Sequence, residues 1–292
     1  MGILFARVPA PGLVLVGILS VQVGAGLAKQ LFTELPPLAV VTMRLLVAAA
    51  IMVLIARSSF VRSMRRAGRR AVWPVLGLGL ALAVMNASIY QAFARIPLGI
   101  AVAIEFLGPL GLALVLSRRR LDLLWVLLAG TGVVLFATGE TGSVTLSGVL
   151  FALLAGVGWA SYILCSARVG REIPGTGGLA VASVVAALLV APVGIPVGGT
   201  DLLDPHALLI GLAVGLLSSV VPYTLEMEAL RRIPERVFGI YMSIEPAMAA
   251  LVGVVLLQEL LSLPEWFALG CIVLASIGSN RTSRGTQVVT DP

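Results

Sequence analysis

The chain has 292 residues, 59% of them apolar and 12% charged, against roughly 45–50% and about 25% in a soluble globular protein. This excludes an ordinary soluble enzyme, and since a bilayer-spanning helix takes about 20 mostly apolar residues, ten such helices would leave no room for a large extramembrane domain. The net charge of +6, from 20 basic and 14 acidic residues, does not indicate nucleic acid, because nineteen of the basic residues are Arg and they lie almost wholly in alternate connections, which is how a polytopic protein records its orientation.

In chain order, apolar runs between polar or Gly/Pro breaks predict helices near 12–32, 37–56, 72–93, 99–117, 122–139, 147–166, 177–197, 207–229, 237–257 and 264–280. The first run is too long for a signal-peptide core and lacks a convincing cleavage site, so it is expected to remain as the first helix. With the N-terminus inside, the cytoplasmic segments collect 17 of the 20 basic residues: Arg7; the six from Arg57 to Arg70; Arg118, Arg119 and Arg120; Arg168 and Arg171; Arg231, Arg232 and Arg236; Arg281 and Arg284. Both termini are therefore expected in the cytoplasm. Lys29 and Arg95 fall near outer helix ends, and Arg44 lies within the second helix. Cys165 and Cys271, both in apolar runs, offer neither a disulfide framework nor a metal-ligand spacing, and no phosphate-binding loop is present. No cofactor and no metal is expected.

An internal repeat organises the chain. Arg95-Ile96-Pro97, Gly99, Glu105 and Pro109 return about 137 to 140 residues later as Arg232-Ile233-Pro234, Gly239, Glu245 and Pro246, and Trp125 and Gly130 return as Trp266 and Gly270. A repeat of five helices is odd, so the second copy enters the membrane inverted, the plan of secondary transporters with a substrate site near the midplane. The predicted fold is an all-α membrane protein: ten transmembrane helices in two inverted five-helix repeats, 1–140 and 141–281, with a cytoplasmic tail at 282–292.

Glu105 and Glu245 are the most informative positions, since a carboxylate within a membrane helix costs at least about 2.5 kcal/mol and is kept facing a cavity or a partner. They lie about 9 Å in from the outer end of the fourth helix and about 12 Å in from the inner end of the ninth. Pro109 lacks the N–H that would bond the carbonyl of Glu105, and Pro246 frees that of Met242, so both helices should be interrupted there. Discontinuous helices at matching places in two halves point to a transport site; the alternative is that each Glu merely satisfies backbone released by its proline. In so apolar a setting the two carboxylates could exchange protons near neutral pH and couple transport to a proton gradient.

Asn86 and Tyr90 share a face of the third helix, and Ser219, Tyr223 and Glu226 share one of the eighth, each set placed to line a polar cavity. For the tyrosines an interfacial or core position is the alternative. Arg44 either pairs with a glutamate or contacts a substrate carboxylate. Glu228, within a turn of Arg231 and Arg232, reads as a solvated ion pair, and Trp159 and Tyr162 as packing or as cavity wall. The chain carries no membrane-enzyme constellation and is not expected to be an enzyme.

Met85-Asn86 through Tyr90 and the stretch from Arg95 to Pro109 resemble the EamA type of the drug/metabolite transporter superfamily. In the second half, Pro222-Tyr223-Thr224-Leu225-Glu226-Met227 and Met242-Ser243-Ile244-Glu245-Pro246-Ala247 are similar in particular to the bacterial threonine/homoserine exporter branch. The resemblance implies a multi-pass inner-membrane exporter of ten helices that moves amino acids or related metabolites outward in exchange for protons. It carries Asn86, Tyr90, Glu105, Tyr223, Glu226 and Glu245 over as cavity residues, together with Arg44. The chain departs from the branch at Gln258-Glu259, where Gly-Glu is frequent.

Efflux of lipophilic cations stays open as an alternative, although it would favour carboxylates without a cationic partner and an aromatic-rich wall, and only 6% of the chain is aromatic. A non-transporting scaffold would leave the mirrored Glu and Pro without purpose, and no ring of selectivity residues suggests a channel. The expected partners are a small-molecule substrate, protons and the lipid bilayer, with no nucleic acid; a homodimer is compatible with the sequence.

Overall fold

The computed structural model of the chain describes residues 8–66, 69–116, 121–138, 144–173 and 176–282; among them the backbone is almost wholly helical and contains no strand. Arg7, Arg118, Arg119, Arg120, Arg284 and the tail from 283 onward lie outside the described residues. The α-helices are α1 (Ala10–Gln30), α2 (Pro37–Arg66), α3 (Arg69–Phe93), α4 (Leu98–Glu105), α5 (Leu107–Leu116), α6 (Leu121–Thr138) and α7 (Leu146–Glu172). They continue with α8 (Gly177–Gly198), α9 (Pro205–Gly215), α10 (Val221–Leu230), α11 (Glu235–Met242), α12 (Glu245–Leu257) and α13 (Leu263–Thr282).

Among the described residues, eight helical stretches are long and apolar enough to cross a bilayer: Ala10–Thr33, Pro37–Ala56, Val72–Phe93, Leu146–Glu172, Gly177–Leu203, Pro205–Leu230, Val237–Leu257 and Leu263–Arg281. Two shorter apolar stretches, Leu98–Ala113 and Leu123–Phe136, fall where the fourth and fifth helices are predicted. Helices suit this composition because each satisfies its own backbone hydrogen bonds, which a lipid core cannot. Leu54, Leu80, Leu150 and Leu188 are exposed on the outside of the bundle, as expected of a surface whose solvent is hydrocarbon. The second helix outruns its predicted end at 56 and continues to Arg66, since Arg and Met sustain a helix once the apolar run stops.

The bundle packs α2 on α8, α3 on α7 and α8, and α6 on α13, while α1 lies along α10 and α12 and α4 crosses α12 and α7. Small residues allow the closest crossings. A Cβ on Gly99 would stand 2.6 Å from Ala250 Cα, and one on Gly108 would overlap the Gly156 carbonyl. At one end of the bundle Glu34 meets His206 at 3.3 Å, and at the opposite end Arg232 Nη1 donates to Val8 O at 3.2 Å.

Three interruptions shape the interior. α4 stops at Glu105 and α5 resumes at Leu107; α11 stops at Met242 and α12 resumes at Glu245. The third was not anticipated: the run 207–229 is not one continuous helix, because a π turn at Leu216–Val220 separates α9 from α10. A proline follows each interruption or sits within it, Pro109, Pro246 and Pro222, and each lacks the N–H that would occupy the carbonyl four residues earlier, those of Glu105, Met242 and Ser218.

Candidate functional site

A central cavity of about 120 Å³ lies where these interruptions converge, with Gln22, Arg44, Asn86, Glu105, Trp159, Ser218 and Glu245 among its lining residues. Four of the sequence-predicted residues, Arg44, Asn86, Glu105 and Glu245, meet there from α2, α3, α4 and α12. Glu105 ends α4, and its carboxylate makes no hydrogen bond to a described residue; Arg44 lines the same cavity. Glu245 opens α12, where free backbone N–H groups favour a carboxylate. Its Oε1 accepts from Gln22 Nε2 at 3.1 Å, while its Oε2 is buried without a partner. Asn86 donates through Nδ2 to Leu82 O at 2.8 Å.

Arg44 is the one basic side chain at this level of the cavity wall. Its Nη2 reaches Ser218 O, the carbonyl released by Pro222, at 3.5 Å, and its Cζ stands 5.5 Å from the Tyr90 ring centroid. No carboxylate of a described residue comes within 4.0 Å of it. Tyr90 is fully buried beneath it, wedged between Phe32 and Phe93 at centroid distances of 5.9 and 5.8 Å. It supports the guanidinium as a cation–π base and is not part of the cavity wall.

Tyr223 and Glu226 stand elsewhere. Both line a cavity of about 550 Å³ toward the Arg231 end, walled by Met52, Tyr162 and Leu179. Glu226 also borders a third cavity of about 290 Å³, shared with Phe106, Pro109, Trp159 and Asn280. Trp159 faces both this cavity and the central one, and packs edge-on against Phe106 with centroids 5.0 Å apart. The aromatic pair thus stands between the central cavity and the 290 Å³ one. Glu228 is held by Arg232 at 2.5 Å and Arg231 at 3.5 Å.

Sequence reasoning missed Gln22 and Ser218. Gln22 had a signal, as a long polar side chain in the middle of the first apolar run; Ser218 had one in Pro222, four residues later. The π turn slips the register, so that Ser218 and not Ser219 reaches the cavity shared with Arg44.

The opposite end carries a charge cluster. Lys29 Nζ lies 2.5 Å from Glu259 Oε1 and donates to Ile96 O at 2.7 Å, and Leu98 N–H donates to Glu259 Oε2 at 2.7 Å. This cluster ties α1 to the start of α4 and the end of α12. Gln258, just before it, takes a left-handed backbone with φ 57°, a conformation that glycine adopts more easily, which is the physical sense of a Gly at this place.

The family model for EamA-like transporters matches residues 146–281. The threonine/homoserine exporter RhtA of Escherichia coli K12 is 42% identical over 275 residues, 93% of this chain and 91% of that one. The chain belongs to the EamA-like transporter family. The RhtA protein of Salmonella typhimurium LT2 is likewise 42% identical, over 92% of this chain and 90% of its own. A protein of known crystal structure, 20% identical, superposes with a TM-score of 0.63 over 91% of this chain and 95% of its own, so the fold is shared. Within the drug/metabolite superfamily this EamA-type transporter sits in the RhtA branch. It is a transporter and not an enzyme, a multi-pass protein of the bacterial inner membrane with a small molecule as its cargo.

Proposed function

We propose that this EamA-type transporter exports small amino acids, threonine and homoserine in particular, in exchange for protons. The observation that carries the reading is Arg44, a partly buried cation with no carboxylate of a described residue within 4.0 Å, which shares a cavity of about 120 Å³ with Glu105 and Glu245. A buried charge left unpaired is unfavourable, and a substrate carboxylate would supply the charge-assisted bonds Arg44 lacks. The substrate ammonium then falls to Glu245 and Glu105. The substrates in the names of the 42% identical relatives are of this zwitterionic kind. The cavity is also well below the roughly 300–1,000 Å³ of a drug-sized site.

The same carboxylates serve proton exchange. When the ammonium departs, a proton on Glu105 or Glu245 restores the charge balance against Arg44, with Glu226 of α10, on the neighbouring cavities, as the next carboxylate toward the Arg231 end. Ten helices in two inverted repeats, 1–140 and 141–281, with both termini and the 282–292 tail cytoplasmic, complete the reading. The matched breaks near Pro109 and Pro246 and the gathering of alternate connections at opposite ends support this topology. In that orientation the Lys29–Glu259 cluster closes the outer side while the cavities near Arg231 open inward.

The test is uptake of radiolabelled threonine and homoserine into proteoliposomes with and without an imposed pH gradient, beside a lipophilic cation as competitor. Gradient-driven amino-acid flux that is lost in Glu105→Gln is expected. Cation flux without amino-acid transport would instead favour a second reading, multidrug efflux, for which the 550 Å³ cavity with Tyr162, Tyr223 and Glu226 is the supporting feature.

A further inference from the structure

Gln22, Ser218 and Glu245 line the central cavity, and each carries a buried side-chain oxygen with no hydrogen-bond partner among the described residues: Gln22 Oε1, Ser218 Oγ and Glu245 Oε2. Buried polar atoms are almost always paired, and an unpaired one is destabilising. Three in a single cavity point to a ligand with polar groups of its own.

Each is held in place. Gln22 is 1% exposed, and its Nε2 is committed to Glu245 Oε1, which leaves its own Oε1 without a partner. Ser218, 7% exposed, sits in the π turn. That turn is tied to α1 by Ser20 Oγ donating to Leu217 O at 2.8 Å, and it is backed by Gly24, where any Cβ would collide with Ser218 Oγ. Gly24 thus gives the Ser218 hydroxyl the space to remain where it is.

The donors and acceptors are unevenly divided. On the reading proposed above, the zwitterionic end of the substrate uses Arg44, Glu105 and Glu245. What remains is Gln22 Oε1, which only accepts, and Ser218 Oγ, which donates or accepts. A hydroxyl answers both at once, giving its proton to Gln22 Oε1 and accepting from Ser218 Oγ. We propose that Gln22 and Ser218 form the subsite that reads the side-chain hydroxyl of the exported amino acid. A methyl in that place leaves both protein atoms unpaired, and sites built around a hydroxyl discriminate strongly against the analogue that lacks it.

The experiment uses the full chain in proteoliposomes, with radiolabelled threonine in counterflow. Unlabelled threonine and its isostere valine, then homoserine and norvaline, are compared by the concentration of each that halves the flux. The unsubstituted chain is expected to favour each hydroxyl compound. In Ser218→Ala and in Gln22→Met the preference for threonine over valine falls about tenfold, the scale of one hydrogen bond to a buried partner. Where a variant carries too little flux to measure, the same ratio is read from thermal stabilisation of the purified protein by threonine and by valine. A ratio unmoved in either variant, including an equal loss for both compounds, overturns the subsite while export stands. No threonine flux or binding in the unsubstituted chain overturns the export reading and the subsite together.

Discussion

At Phe106 the chain turns from α4 into α5 against bare backbone. Gly108 lies on Gly156, and Trp159 closes edge-on over the Phe106 ring. At Ser243 and Ile244, between α11 and α12, the turn is held by polar bonds from α13. Ser276 Oγ donates to Ser243 Oγ at 2.8 Å, and Asn280 Nδ2 reaches both Gly239 O and Ser243 Oγ at 3.0 Å. The two prolines stand 137 residues apart, as do Arg95 and Arg232, yet at that offset Glu105 matches Met242 and Gly108 matches Glu245. The repeat therefore preserves the interruption of the backbone, and the carboxylates have been placed on it separately. One ends a helix, its carboxylate without a hydrogen bond to a described residue; the other begins a helix and is held by Gln22. The difference suggests a division of labour, with a hinge of apolar contacts at the first break and a fixed anchor at the second.

Gly108→Val should break the comparison most severely, because its side chain has no space beside Gly156. Such overpacking costs about 1–3 kcal/mol, read as a fall in the thermal midpoint of the purified protein, and a valine tolerated there would show that α5 and α7 are not in close contact. Next come the two carboxylates. Glu105→Gln should flatten the pH dependence of threonine flux while leaving its half-saturating concentration within a few-fold. Glu245→Gln should raise that concentration about tenfold, the loss of one charge-assisted bond. Identical kinetics in the two variants would erase the asymmetry. Ser276→Ala should cost about 1 kcal/mol of stability through the lost bond to Ser243, with no counterpart at the first break. The last has the opposite sign: Gln258→Gly, at the left-handed residue that ends α12, should stabilise the protein by about 1 kcal/mol, measured by the same melts.

Apolar run lengths were enough to read an all-helical membrane protein, and the prolines at 109 and 246 to read where two of its helices stop, because both follow from backbone hydrogen bonding. The residues that converge on the cavity were readable where charge made them conspicuous: Arg44, Glu105 and Glu245. Register was not readable. The π turn at Leu216–Val220 rotates α10 relative to an unbroken helix, so Tyr223 and Glu226 line a different cavity from Asn86. Nor did spacing reveal that Tyr90, on the same face as Asn86, would be claimed by Phe32, Phe93 and Arg44. Gln22 and Ser218 are neutral, and neutral polar residues stand out only once their unpaired atoms are seen to share a space.

Exchange of an amino acid for a proton at Glu105 and Glu245 is measured most directly with a pH-sensitive dye trapped inside sealed proteoliposomes. Threonine added outside should enter and drive protons out, raising the internal pH, and Glu105→Gln should abolish the change. Labelled threonine entering with no movement of protons would contradict the account.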